Sequence, residues 1–541
     1  MSQQVQTDNV QTLSKTLECE LDPVLLFEAL VENSETSNRM LLESCRIDNK
    51  QHLKSILVHR SALRIECLKN QIIIQSLTSN GDNALAQVKN DLSNQSDLTL
   101  KSSGIQLLTV TYPELSDIEH NLNEEQRLKR ISPIDCLRKI NTVFESQNRQ
   151  AYSNFLCGLF SFDFIATFEK LPDVANGKNT CPDFVFYLAE ELVVIDHETH
   201  HSVIYSNIFL GENSDKNYYE QSRRIESLTN KILEASLKKS EQRVEKFENL
   251  PVNKEYLVDC NMTDGDYQET VRTLKDEIIK GNIFQVVPSR TFSLPCTDTI
   301  GSYQKLKQNN PSPYMFYMRD QDFILFGASP ESALKYQQDA STVELYPIAG
   351  TRPRGKLNNG QIDEDLDKRL EAELKLDQKE ISEHMMLVDL ARNDIARISN
   401  SCSVKIPRLL EVDRYSQVMH LVSHVQGTLR NDLDCFHAYQ ACMNMGTLTG
   451  APKIKASELI RQTEKTRRGS YGGAVGYINA NGDMDTCIVI RSAFCKNNIA
   501  YIQAGAGVVF DSDPQSESEE TINKAKAVIN AIQLAHSAEK G

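Results

Sequence analysis

Apolar and polar positions alternate with period two in several stretches of the first half of the chain. Residues 60–75 (RSALRIECLKNQIIIQ), 105–113 (IQLLTVTYP) and 184–196 (FVFYLAEELVVID) carry β-branched residues in this pattern and are predicted as strands, the first of them a pair. Over 212–250 the spacing becomes helical, and NYYEQSRRIESLTNKILEASLKK predicts one or two surface helices leading into a linker around 248–259. The first ~15 residues are polar and expected to be loosely held. From about residue 263 the texture changes. TDGDYQETVRTLKDEIIKGN opens on a capping Thr263 and predicts a helix running to Gly281. Gly-, Pro- and Arg-rich turns then punctuate short apolar strands to about residue 510, and EETINKAKAVINAIQLA predicts a closing helix. No repeat of roughly 20–50 residues is present. The expected organisation is an N-terminal α+β region over 1–250 and a larger α/β region over 260–535.

Composition narrows the function classes. At 541 residues the chain is too long for one domain of roughly 150. A net charge of −15 argues against a nucleic-acid binder, which needs clustered Lys and Arg. No apolar run approaches the roughly 20 residues of a membrane span. The N-terminus lacks the basic start and apolar stretch of a secretory signal. Thirteen scattered cysteines without a CxxC read as reduced thiols, so the expected location is cytoplasmic. His197, Glu198 and His201 spell H-E-x-x-H, but between two β-like runs they belong to a hairpin turn, where the two histidines do not share a helical face. Gly472-Gly473 and Gly505-Ala506-Gly507 lack the rest of a dinucleotide fingerprint.

Two segments place glutamates three residues apart: Glu380 and Glu383 in KEISEHMMLVDLARND, and Glu517 and Glu520 in DPQSESEETINKAKA. Both read as helical, so each pair shares a face. Each pair alone could be a solvated surface. Brought together, the two faces would form an oxygen-rich site suited to Mg²⁺, which takes one or two carboxylates and fills its shell with water and substrate. Nearby, Gly-rich turns carry cations: Arg352 and Arg354 in PIAGTRPRG, the helix start in GTLTGAPKIKA, Tyr471 in RRGSYGGAVGY, Arg491 in IVIR, and AGAGVVFDSDP. An acidic chain that gathers Arg, Lys and anion-binding turns in one region suggests a small anionic substrate held partly through a metal.

Together GNIFQVVPSR, GASPE, PIAGTRPRG, EISEHMMLVDLARND, YSQVMHLVSHVQGTL, GTLTGAPKIKA, SYGGAVGY and AGAGVVFDSDPQSESEET resemble the chorismate-utilising enzymes, and within them the branch that makes anthranilate for tryptophan synthesis. The resemblance covers most of 260–535 and departs from the family pattern at Ala391. It implies a large two-lobed α/β (α+β) sandwich of orthogonal antiparallel β-sheets flanked by helices. It implies Mg²⁺ bound directly by Glu383 and Glu520, with Glu380 and Glu517 supporting through water. Glu331 would protonate the departing 4-hydroxyl. Tyr471, Arg491 and the backbone of Gly505, Ala506 and Gly507 would grip the enolpyruvyl carboxylate, and Gly350 and Thr351 would line the ring. His420 is similar to the histidine associated with pyruvate elimination; by residue type alone it could equally be a packing histidine. Thr447 and Gln285 complete the catalytic set. In 1–250, LLES (41–44), taken with NPSPYMFYM, resembles an L-tryptophan feedback site built from Ser44, Pro313, Tyr314 and Met315, with Glu43 beside Ser44. The 260–535 region would be the chorismate-binding catalytic domain. No G-x-C-x-G nucleophile turn occurs, so the resemblance implies a separate glutamine amidotransferase subunit, with two of each chain in a heterotetramer, or ammonia from solution.

Two rival chemistries within the family are weighed by single residues. Aminodeoxychorismate synthases aminate C4 and carry a nucleophilic lysine where this chain has Ala349. Isochorismate and salicylate synthases use water and a lysine base where this chain has Gln285. A non-catalytic tryptophan-binding regulator would need broken carboxylate pairs, and all four glutamates are present.

Overall fold

The computed structural model describes residues 9–19, 21–30, 37–46, 52–114, 122–145, 150–242, 257–357, 361–415 and 418–538. Every described strand except the short pair Gln285–Val286 and Gly450–Ala451 joins one large network of antiparallel pairings, with helices against it. Phe184–Asp196 is buried at nearly every position, because strands and helices cover both its faces. It pairs with His201–Phe209 and with the long strand His52–Leu68, which continues into Gln71–Ser76. His197 and Glu198 lie in the tight 197–200 turn and His201 opens the strand after it, so the motif sits at a hairpin as expected. His197 Nε2 lies 2.8 Å from Ser55 Oγ, and Glu198 pairs with Arg46.

Helices form where their signals are strongest. Thr263 caps Asp264–Ile279 through a 3.2 Å bond from Asp266 N to its hydroxyl, a contact of about 1 kcal/mol. The predicted surface helix is one element, Ser214–Gln242, and the closing helix spans Pro514–Ala538. Among the described residues no helix is long and apolar enough to cross a membrane. The cysteines form no disulfide, and all but Cys19, Cys260 and Cys402 are buried.

The N-terminus differs from expectation. Residues 10–15 are not loose; they belong to a strand, Val10–Glu18, paired along its length with His201–Phe209. Only Val10 in that strand is fully buried, so its alternation is too weak to be read as a strand from sequence. The predicted linker lies outside the described residues up to 256.

Segments from the two ends of the chain pair with each other. Arg39–Cys45 lies against Tyr314–Arg319, and Leu156–Phe160 against Ala474–Ile478. Buried ion pairs cross the same divide: Arg64 with Asp320, and Arg461 with Asp163, each at 2.9 Å.

Candidate active site

The helix Gln378–Ala396 starts at Asp377, whose carboxylate accepts from Lys379 N and Glu380 N. Its first turns carry Glu380 and Glu383. The closing helix carries Glu517 and Glu520. The two helices bring these carboxylates into one field: burial first, then Glu380 and Glu520, push the Glu383 carboxyl up to about 7. Burial likewise raises Glu517, with Glu520 adding to it. Cations meet the outer pair, Arg352 with Glu380 at 2.9 Å and Lys524 with Glu520 at 2.6 Å. Among the described residues Glu383 has no such cation in contact; it accepts 2.8 Å from Gln285 Nε2. Hard oxygen donors that raise one another's proton affinity fit a divalent cation such as Mg²⁺. Among the described residues no group of three or more His, Cys, Asp and Glu is arranged to hold a metal alone. Two carboxylates with water and substrate are what these residues could offer.

Gln285 sits on the short strand paired with Gly450–Ala451 and is buried. With the Gln285 amide nitrogen donating to Glu383, its Oε1 is left buried without a hydrogen-bond partner among the described residues. A Cβ on Gly507 would stand 2.7 Å from Gln285 Nε2 and 3.3 Å from Glu383 Oε1, so only glycine permits this approach. Glu331 lies just beyond the strand Ile324–Ser329 and is buried. Burial pushes its carboxyl up to about 8, against a 3.0 Å bond from Thr447 Oγ1 and the charge of Lys524.

His420 is in register with Thr351 across two strands, its Nδ1 2.9 Å from the Thr351 hydroxyl. Burial, then the charge of Arg491, push its imidazole down to about 4. Gly350, at φ +88°, turns the backbone beside it. Tyr471 is buried and its phenol is raised to about 12 by burial. Arg491 is held at φ +49°, a left-handed conformation that costs roughly 1–2 kcal/mol for a residue with a Cβ. Its side-chain hydrogen bond goes to a carbonyl, Lys524 O at 3.3 Å, and burial lowers its pKa. A half-buried guanidinium bonded to a carbonyl retains donors for an anion. The Ala506 N–H is not free: it is shared at 3.3 Å between Pro288 O and Tyr267 Oη.

The residues read as a tryptophan site fall on a different strand pair. Ser44 and Tyr314 are register partners, as are Glu43 and Met315. Strand alternation sends the two pairs to opposite faces. Glu43 is buried with Tyr303 (2.6 Å) and Lys307 (2.5 Å). Tyr314 bonds Asp485 at 3.1 Å on the other face, and its own second register partner is Ser329, two residues before Glu331.

Sequence reasoning passed over three residues. Lys524 follows Glu520 by four on one helix face, a spacing that would have flagged it. It donates to Gly505 O at 3.0 Å, and its charge reaches Glu331, Glu383 and His420. Arg468 is buried, bonds Leu448 O and Glu464, and lies 5.5 Å from the Tyr471 ring. Tyr415 packs on His420. The last two are joined to the site by tertiary contacts that no local pattern encodes.

Residues 114–530 match the chorismate binding enzyme family. The chain is 51% identical over 516 residues to the anthranilate synthase component 1 of Vibrio parahaemolyticus serotype O3:K6, covering 95% of this chain and 92% of that one. It is 48% identical over 540 residues to the protein of the same name from Escherichia coli strain K12, covering 98% and 100%. The crystal structure of anthranilate synthase component I from Streptococcus pneumoniae TIGR4 superposes with a TM-score of 0.63 at 28% identity, covering 94% of this chain and 97% of that one. MenF, the menaquinone-specific isochorismate synthase of Escherichia coli, shares the fold, with a TM-score of 0.62 at 16% identity over 97% of this chain and 95% of that one.

Proposed function

The chain belongs to the chorismate-binding enzymes, among the anthranilate synthase component 1 proteins, and from that premise we propose that it aminates chorismate at C2 with ammonia and then eliminates pyruvate to give anthranilate. The observation that carries this reading is Gln285. Its amide cannot act as a base at any ordinary pH, so it gives water no activation. Its unpartnered Oε1 can accept an N–H from ammonia, which brings its own lone pair. Ala349, where C4-aminating relatives carry lysine, leaves no nucleophile for that chemistry.

In this reading Glu331, neutral because it is buried, donates its proton to the departing 4-hydroxyl, and Thr447 orients the carboxyl. Arg491 and Tyr471 hold the enolpyruvyl carboxylate, with Gly505, Ala506 and Gly507 forming the adjoining wall. Gly350 and Thr351 line the ring. His420, neutral near pH 7, takes the proton whose loss accompanies elimination. Glu383 and Glu520 would hold Mg²⁺, with Glu380 and Glu517 supporting through water. When bound, Mg²⁺ supplies Lewis-acid compensation for charge on the ring carboxylate.

The nitrogen source in this reading is a glutamine amidotransferase subunit, two of each chain assembling together. The component 1 name of the relatives supports a partner. L-Tryptophan would act as feedback inhibitor at Ser44, Pro313 and Tyr314, with Met315 contributing backbone only, its side chain being on the opposite face in the core. The register pairing of Ser44 with Tyr314 supports a shared site there. The test is anthranilate fluorescence from chorismate and Mg²⁺, with ammonium or with glutamine. Product with ammonium, and none with glutamine until the partner is added, is expected. No product under either condition overturns the reading.

A further inference from the structure

Elimination needs one imidazole held in one orientation. Thr351 Oγ1, 2.9 Å from Nδ1, holds the Nδ1 edge of His420. With Nδ1 engaged by the Thr351 hydroxyl, Nε2 is the ring nitrogen left to take a proton. The ring could still swing about its own stem. Tyr415 removes that freedom: its ring meets the imidazole edge to face, with centroids 5.1 Å apart and planes at 78°.

Tyr415 is itself pinned. Its N–H donates to Val418 O at 2.8 Å, and its carbonyl accepts from Arg354 Nη1 at 2.7 Å. Arg354 is locked to Asp367 by two 2.8 Å bonds. Tyr415 belongs to none of the hydrophobic clusters formed by the described residues, so it is not one more core ring. Burial, Asp413 and Glu331 keep its phenol neutral.

We propose that Tyr415 is a positioning residue for pyruvate elimination, holding His420 in the orientation that presents Nε2 to the C2 hydrogen; this rests on the reaction proposed above. In that step Nε2 takes the C2 proton. The C–H electron pair becomes the last ring double bond, and the C3–O bond breaks. The departing enolate takes up a proton at its methylene carbon to become pyruvate. Losing the clamp slows this step more than amination, so the aminated, enolpyruvyl-bearing intermediate escapes.

The experiment follows chorismate loss by absorbance, anthranilate by fluorescence and the intermediate by mass spectrometry, with ammonium and Mg²⁺. Wild type is expected to give one anthranilate per chorismate; none at all overturns the reaction, not the clamp. For Tyr415→Leu, anthranilate per chorismate consumed is expected to fall on the order of tenfold, with the intermediate making up the difference. Tyr415→Phe keeps the ring and is expected to restore the ratio. Arg354→Lys loosens the anchor without touching the ring, and is expected to lower the ratio less. Consumption and product falling together, with no intermediate, overturns the proposal. A second readout needs no turnover: the imidazole ¹⁵N resonances of His420 should shift in Tyr415→Leu as the ring gains freedom and water. Resonances identical to wild type also overturn it.

Discussion

Gln285 donates a 2.8 Å hydrogen bond from Nε2 to Oε1 of Glu383, so the residue proposed to face the nucleophile and a carboxylate of the candidate metal site are oriented by each other. Gln285→Lys would put an amine in place of that amide, a base for water when neutral and a competing charge beside Glu383 when protonated. Without a nitrogen source the variant is expected to release a hydroxylated product from chorismate, and its amination should fall. Chromatography of the products decides it. Unaltered anthranilate formation, with no hydroxylated product, would place Gln285 away from C2.

If Glu331 is the general acid of the proposed reaction, it sets an alkaline limit. Its carboxyl is raised to about 8, so it is protonated near neutrality and loses the proton as pH rises through that value. A general acid works only while protonated, so kcat/KM should decline above about pH 8. Glu331→Gln should cost on the order of 10²- to 10⁴-fold and erase that limb. A limb that persists in the variant assigns the acid to another group.

Glu383→Gln and Glu520→Gln each remove one anionic oxygen, and hard-cation sites depend on ligand charge. Calorimetry should show Mg²⁺ binding weakened on the order of tenfold or more in either variant. In the wild type, protons compete for Glu383, whose pKa is raised to about 7. Apparent Mg²⁺ affinity should therefore fall as pH drops through 7. An affinity flat between pH 6 and 8 would contradict this.

Because the chain contains no tryptophan, added L-tryptophan is the only indole in a binding experiment. Its fluorescence anisotropy should rise with wild-type protein and rise less with Ser44→Phe, which fills the space beside Tyr314. Linkage requires chorismate to weaken tryptophan binding by the factor with which tryptophan weakens chorismate binding. Equal anisotropy curves for the two proteins would move the site off this strand pair.

Local structure was legible wherever one short-range signal dominated. Thr263 announced its helix, and the apolar run 184–196 announced a strand covered on both faces. Val10–Glu18 was missed because pairing with a distant strand, not side-chain pattern, holds it. The carboxylate pairs were visible as i, i+3 spacings, but that Glu520 comes within electrostatic reach of Glu383 is a tertiary fact, which raises the Glu383 carboxyl. Which face of a strand a residue takes also escaped. Glu43 and Ser44 are neighbours in sequence and are parted by the pleat.

The pairing of Arg39–Cys45 with Tyr314–Arg319 has a temporal side. A ribosome adding roughly 5–20 residues per second needs on the order of 10–60 seconds to make the intervening chain. Throughout that interval one edge of an apolar strand has been synthesised and has no partner, and open edges of this kind are templates for wrong pairing. Neither end of the polypeptide can complete its own sheet, so shortening the chain from either side removes strands the remainder depends on. For this enzyme the slow and hazardous part of biogenesis is the wait for its own second half.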